Sequence, residues 1–156
     1  MTMLTMSTDN KYRLHQSLGY QLSLTSRLQE RRFEEPLKTL GLTRITWCIL
    51  LAVEVEALVN PSDIAAFVGI DRTATSRALR QMETAGMIAR GAGKTDGRTT
   101  TVALTDKGRD LHHRATPMAR DNASHWQEKL SKPETEELCR LMAKLRKGED
   151  AALTRL

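Results

Sequence analysis

Residues 60–86 read NPSDIAAFVGIDRTATSRALRQMETAG, and this stretch decides the fold. Asn60 is a good helix N-cap, Pro61 fits the first helical position, and Asp63 adds negative charge to the first turn. The helix they start is expected to run to about Val68 and stop at Gly69. Asp71 then caps a second helix that continues to Gly86, a natural C-terminal glycine. Two short helices joined by a tight turn outline a helix-turn-helix.

After Gly86 the pattern changes. Met87-Ile88-Ala89-Arg90 reads as a short strand, and residues 91–97 are turn chemistry. Arg98-Thr99-Thr100-Thr101-Val102-Ala103-Leu104 is rich in β-branched residues and reads as a returning strand. A hairpin directly after a helix-turn-helix is a wing. Thr105 can cap a long helix carrying Leu111, Ala115, Met118, Trp126 and Leu130. Ser131 followed by Glu134 fits a capping box, and a last helix has Leu138, Leu141, Met142 and Leu145 on one face.

Upstream, Leu14, Leu18, Leu22 and Leu28, then Leu37 and Leu40, give helical spacing from about Lys11, with Pro36 a possible kink. Gly41 ends that helix. Thr43 can cap the next, whose buried stripe includes Ile45, Ile49, Ala52 and Val53. The reading is therefore a mainly α chain with a small β-hairpin wing and about six helices. Residues 1–10 form a loose tail and 11–156 one unit. Within it, 43–104 is a winged helix-turn-helix lobe, and 11–40 with 105–147 are dimerisation helices. The apolar stripes at both ends are too large for one small core, so a two-fold dimer is expected to bury them.

The bulk numbers agree. The chain has 156 residues, room for one domain with a real core. Its 24 Lys and Arg against 19 Asp and Glu leave a charge of +5, which suits a polyanion if the cations cluster. They do cluster: Arg72, Arg77, Arg80, Arg90, Lys94 and Arg98 face only Glu83 and Asp96 in the same stretch. On a wheel of about 100° per residue, Thr75, Leu79 and Met82 fall on one side of the second short helix. Thr73, Arg77 and Arg80 fall on the other, with Ser76 at the edge. Hydroxyls and guanidinium groups bond phosphates, and arginine also bonds two acceptors on guanine. This face is the candidate contact with duplex DNA.

Three stretches resemble the MarR family of bacterial winged helix-turn-helix regulators. The first is Gly41-Leu42-Thr43 with Trp47 close behind. The second is Ser62-Asp63-Ile64-Ala65, then Gly69 to Arg77, then Glu83-Thr84-Ala85-Gly86-Met87-Ile88. The third is Asp96-Gly97-Arg98 followed by Val102-Ala103-Leu104-Thr105-Asp106-Lys107-Gly108. The resemblance implies a recognition helix in the major groove and a wing arginine in the minor groove. The implied DNA contacts are Arg72, Thr73, Ser76, Arg77, Arg80, Lys94, Asp96 and Arg98, with Asp96 orienting Arg98. It also implies a homodimeric repressor on a pseudo-palindromic operator, released by a small aromatic or phenolic ligand. Tyr12, Arg13, His15 and Trp47 are the candidate ligand residues. Two departures stand out: Gly93 and Thr95 replace an earlier Asp-x-Arg pair, and Thr75 sits where an aliphatic β-branched residue is usual.

Other constellations carry less. Asp110 and His113 are three apart on a helix, but adjacent His112 and His113 diverge by about 100° and no ligand cluster surrounds them. Cys48 and Cys139 form no C-x-x-C pair, and Cys48 lies in an apolar helix where a thiol is usually inert. Trp47 and Trp126 read first as packing residues. A redox- or metal-sensing regulator of the same fold, or a winged-helix protein-interaction module, are the alternatives. No catalytic motif, metal site or cofactor is expected. No apolar run approaches a membrane span and the first ten residues lack a signal-peptide core, so a cytoplasmic protein is expected.

Overall fold

Helix α1 spans Leu18–Lys38 and opens with a cap made by Ser17, whose Oγ accepts the Tyr20 amide at 3.3 Å. The preceding Leu14–Gln16 forms a separate 3-10 turn. The continuous helix expected from Lys11 is thus broken, because Ser17 turns extended and gives its side chain to the next segment. A computed structural model describes residues 11–92 and 100–149.

Five more helices follow. Thr43 and Thr46 form a capping box at the start of α2, Arg44–Glu54. Helix α3, Pro61–Val68, ends at Gly69 with φ of 75°. Helix α4, Arg72–Thr84, begins at Asp71, whose carboxylate accepts the Ala74 amide at 2.7 Å. After the hairpin, α5 spans Asp106–Gln127 and α6 spans Lys132–Arg146. Glu134 accepts from the Ser131 amide at 2.8 Å, as the capping-box spacing required. Asn60 takes the N-cap position before Pro61, as expected, but its side chain donates to Asp63 Oδ2 at 3.0 Å and makes no cap bond. Leu130 lies beyond α5 and is exposed.

Strands β1, Ile88–Ala92, and β2, Thr100–Leu104, pair antiparallel, with Ile88 opposite Leu104 and Arg90 opposite Val102. Period-two alternation sends Ile88, Val102 and Leu104 inward, where all three are buried. The Val102 amide also donates to the Val59 carbonyl at 2.8 Å, which ties the hairpin to the chain just before α3.

The core joins all these elements except the Leu14–Gln16 turn and α6. Leu37, Leu42, Ile49, Leu50, Ile64, Leu79, Met82 and Val102 are almost wholly buried. Ile49 and Ala52 are buried as the stripe on α2 implies, while Ile45 and Val53 pack partly exposed against the same cluster. Leu14, Leu18, Leu22 and Leu28 remain exposed, and so do Leu138, Leu141 and Leu145 on α6. Among the described residues nothing covers these stripes.

One corner locks the DNA-facing lobe to α5. The Thr105 amide donates to the Met87 carbonyl at 3.1 Å, and its Oγ1 accepts the Gly108 amide at 3.1 Å. Lys107 Nζ donates to the Ala85 carbonyl at 2.7 Å, at the C-terminal end of α4. Gly108 is buried at this junction. A second tie joins α1 to α5. Arg32 reaches Asp121 at 3.0 Å and the buried Asn122 at 3.3 Å, and Trp126 Nε1 donates to the same Asn122 oxygen at 3.3 Å.

Thr75 explains its own departure from an aliphatic residue. It is buried, and its hydroxyl donates to the Asp71 carbonyl at 2.9 Å, one turn back. Thr75→Val removes one neutral hydrogen bond and adds a buried methyl, two effects of about 1 kcal/mol and opposite sign. Its thermal midpoint is expected to stay within roughly 4 °C of the parent. A larger fall in calorimetry would mean that the hydroxyl holds the Asp71 cap in place.

Candidate nucleic-acid interface

Helix α4 presents two chemically opposite faces. Thr75, Ala78, Leu79 and Met82 are buried, Thr73, Arg77 and Arg80 are turned away from them, and Arg72 is exposed at the helix start, in line with Thr75 and Leu79. The spacing of three and four residues in each set produces this division. Arg72, Thr73, Ser76, Arg77 and Arg80 together line one open hollow of about 390 Å³. Arg80 Nη2 donates to Ser76 Oγ at 3.3 Å, so hydroxyl and guanidinium sit as neighbours. Three guanidinium groups and two hydroxyls on one solvent face can bond phosphate oxygens and base acceptors. The three wing residues Lys94, Asp96 and Arg98 lie outside the described residues.

Beside this face runs a second groove of about 670 Å³. Its floor is Thr75 and Leu79, and its walls are Asn60, Pro61 and Ser62, Arg72 and Ser76, and Arg90 and Thr100. Sequence reasoning did not place Ser62, Arg90 or Thr100 at a site. The strand alternation held a signal: Arg90 shares the inward side of the hairpin with Ile88, and Thr100 with Val102. Arg90 Nε donates to Glu83 Oε2 at 2.8 Å. That hydrogen bond, more than the charge, holds the Glu83 carboxyl below its usual range.

The candidate ligand residues do not meet within one chain. Tyr12 is 80 % exposed, and Arg13 precedes the 3-10 turn. His15 packs on Tyr20 with ring centres 4.6 Å apart, near the start of α1. Trp47 packs edge-on to Phe33 at 5.0 Å, near the end of α1. Tyr20 and Phe33 are thirteen residues apart on that helix, about 20 Å along its axis. Trp47 Nε1 is buried without a hydrogen-bond acceptor among the described residues.

Among the described residues no three His, Cys, Asp or Glu side chains group as a metal site. Burial pushes the Cys48 thiol above its ordinary range, against a smaller opposing pull from Arg44. Cys139 is exposed on α6. No described helix is long and apolar enough to cross a membrane.

Comparison with known proteins places this geometry. The model of the MarR family matches residues 40–99, the stretch from just after α1 to the residue before β2. The HTH-type transcriptional repressor Rv2887 of Mycobacterium tuberculosis is 28 % identical over 128 residues, covering 82 % of this chain and 92 % of its own length. BpsR of Bordetella bronchiseptica, whose DNA binding is regulated by 6-hydroxynicotinic acid, superposes with a TM-score of 0.81. It is 19 % identical and covers 89 % of this chain and 99 % of BpsR. A cysteine-to-serine mutant of MarR from E. coli, in complex with operator DNA, gives a TM-score of 0.76 at 22 % identity, over 82 % of this chain and 92 % of MarR. The structural likenesses carry the six-helix, winged-hairpin fold, and the profile lies over the lobe that holds the basic face. Residues 40–99 thus match the MarR family of winged helix-turn-helix regulators, and the described chain shares the fold of MarR itself.

Proposed function

We propose that this chain is a sequence-specific transcriptional repressor that binds a pseudo-palindromic operator as a homodimer and is released by a small aromatic or phenolic ligand. One observation carries the DNA part: α4 turns Arg72, Thr73, Ser76, Arg77 and Arg80 to solvent in one hollow while its opposite face anchors in the core. The repressor part draws on the M. tuberculosis relative, and operator binding on the E. coli structure. Lys94, Asp96 and Arg98 would extend the contact from the wing into the minor groove, where narrow A·T-rich segments favour arginine. The test is selection of duplexes from a random pool by the wild-type protein, followed by a salt titration of the selected sequence. A steep loss of affinity with salt is expected, with one enriched inverted repeat. Equal binding of the starting and final pools would refute sequence specificity.

The dimer rests on the apolar stripes left bare at both chain ends. Leu14, Leu18 and Leu22 at one end, and Leu138, Leu141 and Leu145 at the other, form faces that a second copy would cover. Wild type should sediment as a dimer at micromolar concentration. Leu141→Asp puts an unpaired charge into that contact twice, once from each copy. It should raise the dimer dissociation constant by about a hundredfold or more while leaving the helix signal intact. Leu141→Asp remaining dimeric would exclude α6 from the interface.

For the ligand, the orphaned Trp47 indole N–H supports a polar effector atom at that point. Phe33 beside it offers an aromatic contact. Tyr12, Arg13 and His15 can join Trp47 at a site only from elsewhere in the assembly, since α1 separates them within one chain. BpsR responding to 6-hydroxynicotinic acid supports an aromatic effector here. The raised Cys48 thiol argues against the redox alternative, because a thiol kept protonated is a poor nucleophile.

A further inference from the structure

The groove between α4 and the hairpin is not part of the recognition face, yet it is built from the same chemistry. Core packing ends where the hairpin leaves α4. Ile88 and Leu104 are buried and Val102 is buried, but Arg90 and Thr100, next along the same inward side, open onto solvent. The resulting slot is lined by Arg72, Arg90, Ser62, Ser76 and Thr100, and no described carboxylate lines it. The nearby acids are engaged elsewhere. Asp71 caps the Ala74 amide, Asp63 accepts from Asn60, and Glu83 holds Arg90 by Nε and Nη2. That pairing fixes the Arg90 guanidinium and leaves its Nη1 outside the pair. Arg72 and Ser76 belong to both the slot and the recognition hollow, so they form the ridge between them.

We infer that this slot seats a backbone phosphate of the DNA strand running beside α4, held by Ser62, Thr100 and Arg90. The inference rests on the DNA-binding reading and adds to it a contact that carries no sequence information. A phosphodiester is small, anionic and rich in acceptors. It matches hydroxyl and guanidinium donors with no competing carboxylate on the walls. The slot opens beside the face that would read bases, so one pose of the duplex serves both.

The probe is a fluorescein-labelled duplex of about two helical turns, selected by the wild-type protein from a random pool. Its linkages are replaced one at a time by neutral methylphosphonates. In wild type, one linkage per half-site should cost about tenfold in affinity when neutralised. In the Ser62→Ala, Thr100→Val double variant, that penalty should shrink to about threefold or less, as coupled groups require. The double variant should itself bind about tenfold or more weakly, with an unchanged salt slope, because no charge is lost. Its thermal midpoint should match wild type, since both residues are exposed. Arg90→Gln should make the slope shallower by about one unit per half-site, whereas Glu83→Gln, which also breaks the pair, should leave affinity equal or tighter. If the double variant binds the unmodified duplex like wild type while Arg77→Ala still weakens binding, the slot is not in the complex. If wild type binds no duplex even at low salt, the DNA reading falls first and this contact with it.

Discussion

Gly108→Ala should destabilise the protein by on the order of 3–5 kcal/mol, lowering the thermal midpoint by roughly 10 °C or more. A Cβ at this position would lie 2.0 Å from the Met87 carbonyl oxygen and 3.1 Å from its carbon. Both are backbone atoms, so no side chain can rotate away. The carbonyl is itself held, since it accepts from the Thr105 amide at 3.1 Å. Relief requires the first turn of α5 to lift off β1, which breaks the Thr105 cap and pulls Lys107 from Ala85. Gly19→Ala provides the contrast. Gly19 is helical and nothing lies within 4 Å of a Cβ built there, so the same added methyl should be neutral or stabilising by about 0.5 kcal/mol. Calorimetry on both variants decides the matter: two shifts of equal sign and size would show that close approach at Gly108 is not the cause.

Arg77→Ala should weaken operator binding by about a hundredfold or more, counted over two half-sites. Arg77 lies on the side of α4 opposite Thr75, Leu79 and Met82. Its loss should therefore leave the fold intact, with a midpoint within roughly 2 °C of wild type. Salt separates two roles for it. If Arg77 mainly bonds phosphate, the slope of log affinity against log salt becomes shallower by about one unit per half-site, and all sequences weaken alike. If it reads a base, one position of the enriched sequence loses its preference. Unchanged affinity across the titration would remove Arg77 from the interface.

The local signals in the sequence were strong where one residue settles one backbone event. Thr43, Asp71, Thr105 and Ser131 start helices in the structure, and Gly69 and Gly86 adopt positive φ where α3 and α4 end. The same is true of the α4 face, because a helix wheel needs no knowledge of neighbours. Failures came where the next element decides. Leucine spacing alone predicted helix from Lys11, but Ser17 recruited the amide of Tyr20 and split the segment. Asn60 does occupy the N-cap of α3, yet its side-chain amide is spent on Asp63 instead of a cap bond. The slot was hidden for a further reason. Ser62, Arg90 and Thr100 lie on three separate elements, brought together by the shared core, the Val102 to Val59 bond and the hairpin register. Arg90 was visible as one more cation in a basic stretch, without a direction. Lys94, Asp96 and Arg98 lie outside the described residues, so their place in the wing rests on the family resemblance.

The corner at Gly108 also sets a gear ratio. Helix α5 has 22 residues, hence a length of about 33 Å, and its first turn is fastened to both the end of α4 and the start of β1. A swing of about 6° pivoting at its far end carries that corner sideways by about 3.4 Å, the rise of a single base pair. Because Lys107 holds the Ala85 carbonyl and the Thr105 amide holds the Met87 carbonyl, a displacement of the corner pulls on the end of α4 as well as on β1. In a two-fold assembly the displacement counts once for each half, so the reading heads move apart or together by about two base-pair steps. A duplex offers phosphates and bases only at fixed intervals, and a mismatch of that size puts the second head off register while the first remains seated.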